Sequence, residues 1–90
     1  PNILVIAPPP IGEGVLTRPV AGTMGTGCVE KSRALAKEYE TVCKLLNVHF
    51  LDAGTLNCEF NQIDFMHLTK KGHSVLAEAL SSLVPSLTAL

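Results

Sequence analysis

The chain has 90 residues, of which 47% are hydrophobic and 17% are charged, and its net charge is -1. This composition is typical of one small domain or part of a larger one, since most domains contain about 100 to 150 residues. Only seven residues are Lys or Arg, so the chain lacks the basic surface that binds nucleic acid. The longest apolar run, residues 3–7, is far shorter than the roughly 20 residues that cross a bilayer. We therefore expect neither nucleic acid nor a membrane as a partner.

The three cysteines, Cys28, Cys43 and Cys58, are too few and too widely spaced for a disulfide framework, and none forms a C-x-x-C pair. Free thiols are the expected state. That state favours a reducing cytoplasm, although an odd cysteine count in a secreted fragment would look the same.

The first predicted element is a strand at residues 3–7, Ile-Leu-Val-Ile-Ala. A continuous apolar run without alternation is typical of a strand buried on both faces of a parallel sheet, with helices above and below. Only Asn2 separates this strand from Pro1, and the first residue is not Met. We therefore expect the chain to be a fragment of a larger domain.

A long connection and a helix are predicted next. Residues 8–27 contain four prolines and five glycines and are predicted to form a loop. Apolar residues then recur at helical spacing, which predicts a helix over residues 28–46 with Leu35, Tyr39, Val42 and Leu46 on one face. Glu30 near its start and Lys44 near its end suit the helix dipole.

Residues 48–52 predict a second strand, so that the two strands and the helix between them form a parallel β-α-β unit. After a loop over residues 53–61 and a turn at residues 64–67, Thr69 is expected to cap a helix over residues 70–83, with Leu76, Leu80 and Leu83 inward and Pro85 ending it. Two strands and two main helices would leave sheet edges and apolar faces uncovered, which predicts a partner.

The turn holds an acid and an imidazole, Asp64 and His67, at a spacing of three residues. A carboxylate so placed can accept the Nδ1 proton of the imidazole, fix its tautomer and leave Nε2 as a general base. The alternative interpretation is a helix-start turn with a surface histidine, because the same residues are common in capping patterns.

The order of four motifs resembles the C-terminal half of an SGNH (GDSL-type) hydrolase of the arylesterase or acyl-esterase branch. The motifs are I-L-V-I-A-P-P-P at residues 3–10, E-K-S at 30–32, F-L-D-A-G at 50–54 and D-x-x-H-L-T-x-x-G-H at 64–73. The resemblance covers nearly all of residues 1–90 and implies part of one domain, a three-layer α/β/α flavodoxin-like sandwich with parallel strands. It also implies that Asp64 and His67 belong to a Ser-His-Asp triad acting on short acyl esters by hydrolysis or transfer.

Pro8, Pro9 and Pro10 leave the first strand at its carboxyl end, where we expect them to form a stiff wall of the substrate cleft, or simply a rigid strand exit. The serine and oxyanion motifs of the family are not found in these residues, and none of the five serines lies in a Gly-Asp-Ser or G-x-S-x-G context. We therefore expect the isolated chain to be inactive. Its expected partner is the N-terminal segment of the same domain or another copy of the chain, with an oligomer as the assembled state.

Other site chemistries fit the sequence less well. A metal site built from Asp64, His67 and His73 would need two histidines that do not share a helix face, so no metal is expected. The resemblance to SGNH hydrolases implies no other cofactor. Ser32 and Ser74 are interpreted as exposed helix residues, His49 as structural, and His73 as a solvent-facing or structural histidine. Residues 22–27 are interpreted as a flexible helix entry rather than a phosphate loop. Asp52 is an alternative acid for His67, or a turn residue. A non-catalytic α/β interaction module that self-associates remains the alternative function.

Overall fold

The computed structural model describes residues 2–88 and is built around a two-stranded parallel sheet. Strand β1 (Leu4–Ala7) pairs with strand β2 (His49–Asp52), with Leu4 opposite His49 and Ala7 opposite Asp52. Because the strands are parallel and in this register, both end at the same edge of the sheet. The predicted parallel β-α-β unit is confirmed, and so is the α/β class.

The crossover between the strands is helix α2 (Cys28–Leu46), whose bounds match the prediction. Asn47 follows it with a φ of +55°, and the N–H of Val48 donates to the carbonyl of Cys43 over 3.0 Å. A left-handed residue with a backbone bond of this kind closes the end of a helix, and asparagine tolerates that conformation better than most residues.

The predicted loop at residues 8–27 is more ordered than expected. It contains a 3-10 turn (Glu13–Thr17) and the short helix α1 (Ala21–Met24). Val15 is fully buried against Cys28 and Val29 at the start of α2, and Ile11 and Val20 pack on the same cluster. The sequence predicted only a loop here, whereas these apolar residues, although separated by glycine and proline, share one small core with the helix and order the segment.

Beyond β2, a 3-10 turn (Ala53–Leu56) leads to an antiparallel bridge between Phe60 and Leu68, and helix α3 (Lys70–Thr88) follows. Gly72 is its most buried residue, and Leu76, Leu80 and Leu83 are half-buried, as predicted.

Pro85 was predicted to end this helix, but it lies inside the helix. Proline removes one helical hydrogen bond but tolerates helical dihedrals, so the helix can continue when tertiary contacts favour it. Here Leu87 is half-buried and its carbonyl accepts a 2.8 Å hydrogen bond from Nδ2 of Asn2. These contacts hold the last turn in place.

Part of the predicted apolar face of α2 is uncovered. Tyr39, Val42 and Leu46 are 37%, 51% and 67% exposed, although Leu35 on the same face is half-buried. Among residues 2–88, no helix has both the length and the apolar composition that would let it cross a membrane.

Candidate active site

Asp64 and His67 form a hydrogen-bonded pair in the turn that precedes α3. Nδ1 of His67 lies 2.6 Å from Oδ2 of Asp64. An ionised carboxylate only accepts hydrogen bonds, so Nδ1 carries the proton. That tautomer leaves Nε2 as the nitrogen able to accept a proton, which is the arrangement a general base requires.

The second oxygen of the same carboxylate accepts two backbone hydrogen bonds. Oδ1 of Asp64 lies 3.0 Å from the N of Met66 and 3.1 Å from the N of His67. The Met66 amide, the His67 side chain and the His67 amide, in that order, lower the pKa of Asp64 to about 2 from an ordinary value of 3.8. Asp64 is therefore ionised near neutral pH and oriented to hold an imidazole or imidazolium.

The chain around the pair is shaped by Asn61, which was not identified from the sequence. Its Oδ1 accepts hydrogen bonds from the N–H groups of Ile63 and Asp64 at 3.0 and 3.1 Å, and its own N–H donates to the carbonyl of His67 over 2.9 Å. An asparagine shortly before a turn commonly bonds the backbone two residues on, so this signal was present in the sequence. We call residues 61–68 the Asp–His turn.

The proline segment reaches the Asp–His turn through Gly12. The N–H of Gly12 donates to the carbonyl of Phe65 over 2.9 Å. Pro8 is exposed, Pro9 and Pro10 are half-buried, and a Cβ at Gly54 would lie 2.9 Å from Cδ of Pro10. The prolines thus follow β1 at the sheet edge where both strands end, and Pro10 packs on the turn that follows β2.

The remaining candidate residues lie elsewhere. Oδ1 of Asp52 accepts a 2.8 Å hydrogen bond from the N of Gly54, so Asp52 forms a turn and is not the acid that binds His67. His49 and His73 are exposed on β2 and α3, and the three cysteines are free and buried. Within the described residues, no three His, Cys, Asp or Glu side chains are grouped as metal ligands would be.

Ser32 differs from the prediction of an exposed helix residue. It is half-buried, its Oγ accepts a 2.9 Å hydrogen bond from the N of Ile11, and it donates to the carbonyl of Val29 over 2.7 Å. Its hydroxyl therefore links the segment after the prolines to the first turn of α2. Ser74 is exposed, as predicted.

Comparison with solved structures relates this arrangement to esterases. An aryl esterase from M. smegmatis is 29% identical with a TM-score of 0.79, and the match covers 97% of this chain and 39% of that one. A carbohydrate acetylesterase family member and the carbohydrate acetylesterase Est24, both from Sinorhizobium meliloti, are 27% and 31% identical, with TM-scores of 0.81 and 0.78. The two matches cover 100% and 97% of this chain, and 41% and 39% of the matched chains.

No family model and no curated protein sequence matches the chain. The chain spans about two fifths of the length of the solved esterases that it matches. The resemblance expected from the motifs is confirmed: the chain has the fold of part of the arylesterases and carbohydrate acetylesterases, and the share of their length that it covers is consistent with the C-terminal half of an SGNH-type hydrolase.

Proposed function

We propose that this chain is the C-terminal part of an SGNH-type serine ester hydrolase and supplies the acid and the base of its Ser-His-Asp triad. The observation that carries the proposal is the 2.6 Å hydrogen bond between Nδ1 of His67 and Oδ2 of Asp64. This bond, with the two amide bonds to Oδ1, fixes the tautomer in which Nε2 is a base.

The chemistry follows from that tautomer. Nε2 of His67 takes the proton of a serine hydroxyl as the serine oxygen attacks the ester carbonyl. Asp64, ionised at neutral pH, stabilises the imidazolium that results. The imidazolium then protonates the departing alcohol, leaving an acyl-serine. His67 next takes a proton from the water or acceptor alcohol that attacks the acyl-serine, and returns it to the serine oxygen as the acyl group leaves.

The substrate class is a small ester with a short acyl group. The structural neighbours include proteins described as carbohydrate acetylesterases and as aryl esterases, which supports an acetyl or similarly short acyl group. We assign Pro8, Pro9 and Pro10 to one wall of the cleft. These prolines follow β1 at the edge of the sheet where β2 also ends, and the chain continues from β2 to the Asp–His turn.

The nucleophile is expected to come from outside these residues. The Ser32 hydroxyl already bonds Ile11 and Val29, and no serine of the chain lies in a nucleophile motif. The oxyanion donors would come from the same source, and losing one such donor costs about 100- to 1,000-fold in rate. The 90 residues alone are therefore proposed to be inactive.

The proposed partner is the segment that corresponds to the other three fifths of the matched esterases. An open apolar depression of about 280 Å³ is lined by residues of β1 and α2 and by Val48, which precedes β2; Val5, Val42 and Leu46 are among its residues. Burying this face would remove the exposed side chains of α2 from water, which is favourable by about 25 cal/mol for each Å² of apolar surface.

Val42→Asp tests that burial in the natural polypeptide that contains these residues, with Thr41→Asp as the control on the same helix. Both residues are exposed in the structure. If the face is covered, Val42→Asp lowers the free energy of unfolding by about 3 kcal/mol or more, because it buries an unpaired charge, whereas Thr41→Asp has a small effect. Equal, small effects would show that the segment does not cover this face, and a loss that depends on protein concentration would identify a second copy instead.

The activity itself is tested with p-nitrophenyl acetate and a fluorophosphonate probe on the natural polypeptide. His67→Ala should lower kcat by about 1,000-fold or more, and His73→Ala, a substitution of another exposed histidine, should leave it unchanged. Full activity in His67→Ala would contradict the assignment, as would ester turnover by the 90-residue chain alone that requires His67. A natural polypeptide with neither turnover nor probe labelling would favour the non-catalytic interaction module.

A further inference from the structure

Phe65, in the middle of the Asp–His turn, adopts a backbone conformation that side chains rarely occupy. Its φ is +55°, in the left-handed region. A bulky residue in this region is uncommon, since its Cβ crowds the backbone. The reversal of direction at Phe65 brings the amides of Met66 and His67 back to the Asp64 carboxylate. The geometry of the catalytic pair therefore depends on an unfavourable backbone conformation that other contacts must hold.

Two glycines make room for the ring of Phe65. A Cβ at Gly14 would collide with the ring, and a Cβ at Gly12 would lie 3.3 Å from Cβ of Phe65. The backbone of Gly12 also donates to the Phe65 carbonyl. The ring packs against the core cluster around Val15, so one side of Phe65 is fixed by the segment that follows the prolines.

Arg18 contacts the Asp–His turn at two points. The central carbon of its guanidinium lies over the ring of Phe65, 5.3 Å from the centroid, and Nε donates a 3.0 Å hydrogen bond to the carbonyl of Gln62. Gln62 precedes Asp64 and Phe65 follows it, so one side chain holds the chain on both sides of the acid. Arginine suits this role because its planar group can stack on an aromatic ring while it donates in its own plane.

We propose that Arg18 is a positioning residue of the ester hydrolase, which holds the Asp–His turn through Phe65 and the Gln62 carbonyl so that His67 stays aligned for proton transfer. This inference rests on the proposed function for its catalytic consequence. Arg18 is exposed and contacts the turn rather than the hydrogen-bonded atoms of the Asp64–His67 pair. Its loss should affect the alignment of the pair more than substrate binding or folding.

The test compares Arg18→Met with Arg33→Met in the natural polypeptide. Both arginines are exposed, but Arg33 bonds Oε1 of Glu13 at 2.8 Å and is not joined to the Asp–His turn. The first readout is residue-resolved hydrogen exchange at the amides of Met66 and His67. We expect exchange to rise about tenfold in Arg18→Met and to stay at the wild-type rate in Arg33→Met, because only the first opens the turn.

The second readout is steady-state hydrolysis of p-nitrophenyl acetate. Arg18→Met should lower kcat by roughly tenfold with KM unchanged, since small misplacements of a catalytic group cost rate rather than binding. Arg18→Lys, which keeps a donor and a cation, should recover part of the loss. Arg33→Met should leave both constants unchanged.

The outcomes separate this inference from the proposed function. Absence of wild-type hydrolysis and of probe labelling would count against the proposed function, and exchange would still show whether Arg18 holds the turn. Unchanged exchange in Arg18→Met, an equal rise in Arg33→Met, or wild-type amides that exchange as in an unstructured chain would each overturn the inference. A rise in KM with kcat unchanged would overturn it as well, because it would place Arg18 in substrate binding.

Discussion

Thr69 and Glu59 are joined by both backbone and side-chain hydrogen bonds across the base of the Asp–His turn. The N–H of Thr69 donates to the carbonyl of Glu59 over 3.0 Å, and its Oγ1 donates to Oε1 of Glu59 over 2.8 Å. The same Oγ1 accepts a 3.1 Å hydrogen bond from the N of Gly72, which makes Thr69 the predicted cap of α3. The cap of the helix and the closure of the Asp–His turn are therefore one cluster of hydrogen bonds.

Gly72→Ala should destabilise the protein even though alanine favours helices. A Cβ at Gly72 would collide with the carbonyl oxygen of Glu59, which is backbone and cannot simply rotate away. We expect the free energy of unfolding to fall by about 2 kcal/mol, because this overpacking outweighs the gain in helix propensity of up to about 1 kcal/mol. Urea denaturation of the natural polypeptide measures the change.

The matched control is Gly22→Ala in α1, where an added Cβ would meet nothing within 4 Å. That variant should be neutral or slightly more stable. Equal stability of the two variants would show that the contact between α3 and Glu59 is looser than the structure indicates.

Ser32→Ala should be destabilising for a different reason. It removes the acceptor of the Ile11 N–H, and an unpaired, partly buried amide is costly. A loss of about 1 to 2 kcal/mol in the free energy of unfolding is expected, measured by chemical denaturation. Ser74→Ala, on the exposed side of α3, should stay within about 0.5 kcal/mol of wild type. A Ser32→Ala variant as stable as Ser74→Ala would indicate that water replaces the hydroxyl.

The regular elements were predictable because their signals are local. Helical periodicity, with Glu30 and Lys44 near the ends, predicted α2 with the bounds that the structure has. The continuous apolar runs predicted both strands to within one residue. By contrast, Val15 is buried by residues that are distant along the chain, so the ordered turns within residues 8–27 left no periodic pattern to detect.

The hydrogen-bonded pair of the candidate site was predictable from the sequence, but the residues that hold it in place were not. The spacing of Asp64 and His67 indicated a pair, and the structure joins them. The left-handed Phe65 could not be anticipated, because glycine or asparagine is the usual residue in that conformation. Arg18 is 44 residues from Gln62 in the chain, and no motif connects them. Pro85 was misjudged because the contact between Asn2 and Leu87 spans nearly the whole chain.

Asp64→Asn should leave the backbone of the turn largely intact and remove most of the activity. An amide oxygen can still accept from the Met66 and His67 amides, but a neutral side chain stabilises the imidazolium poorly and can favour the wrong tautomer. A decrease in kcat of about 1,000- to 10,000-fold for p-nitrophenyl acetate is expected in the natural polypeptide. Asp52→Asn is the control, since Asp52 bonds Gly54. If Asp52→Asn lost as much activity, the acid would be misassigned.

The stability that Asp64 contributes should disappear between about pH 4 and pH 2. Hydrogen bonds from the Met66 amide, the His67 side chain and the His67 amide lower the pKa of Asp64 to about 2 in the folded protein, from an ordinary value of 3.8. A depressed folded pKa means that the unfolded chain binds the proton first as the pH falls. The contribution is therefore complete above the ordinary value and is lost as the pH falls to the folded one.

Urea denaturation of wild type and Asp64→Asn at a series of pH values isolates this group, because the other carboxylates titrate in both proteins. Above pH 5 the Asp64 carboxylate should add no pH dependence to the difference between the two free energies of unfolding. From pH 4 to pH 2 this difference should shrink. A difference that instead vanished between pH 7 and pH 5 would show that the coupled group is not the Asp64 carboxylate. A difference that stays constant down to pH 2 would mean that the amide bonds to Oδ1 do not favour the ionised carboxylate.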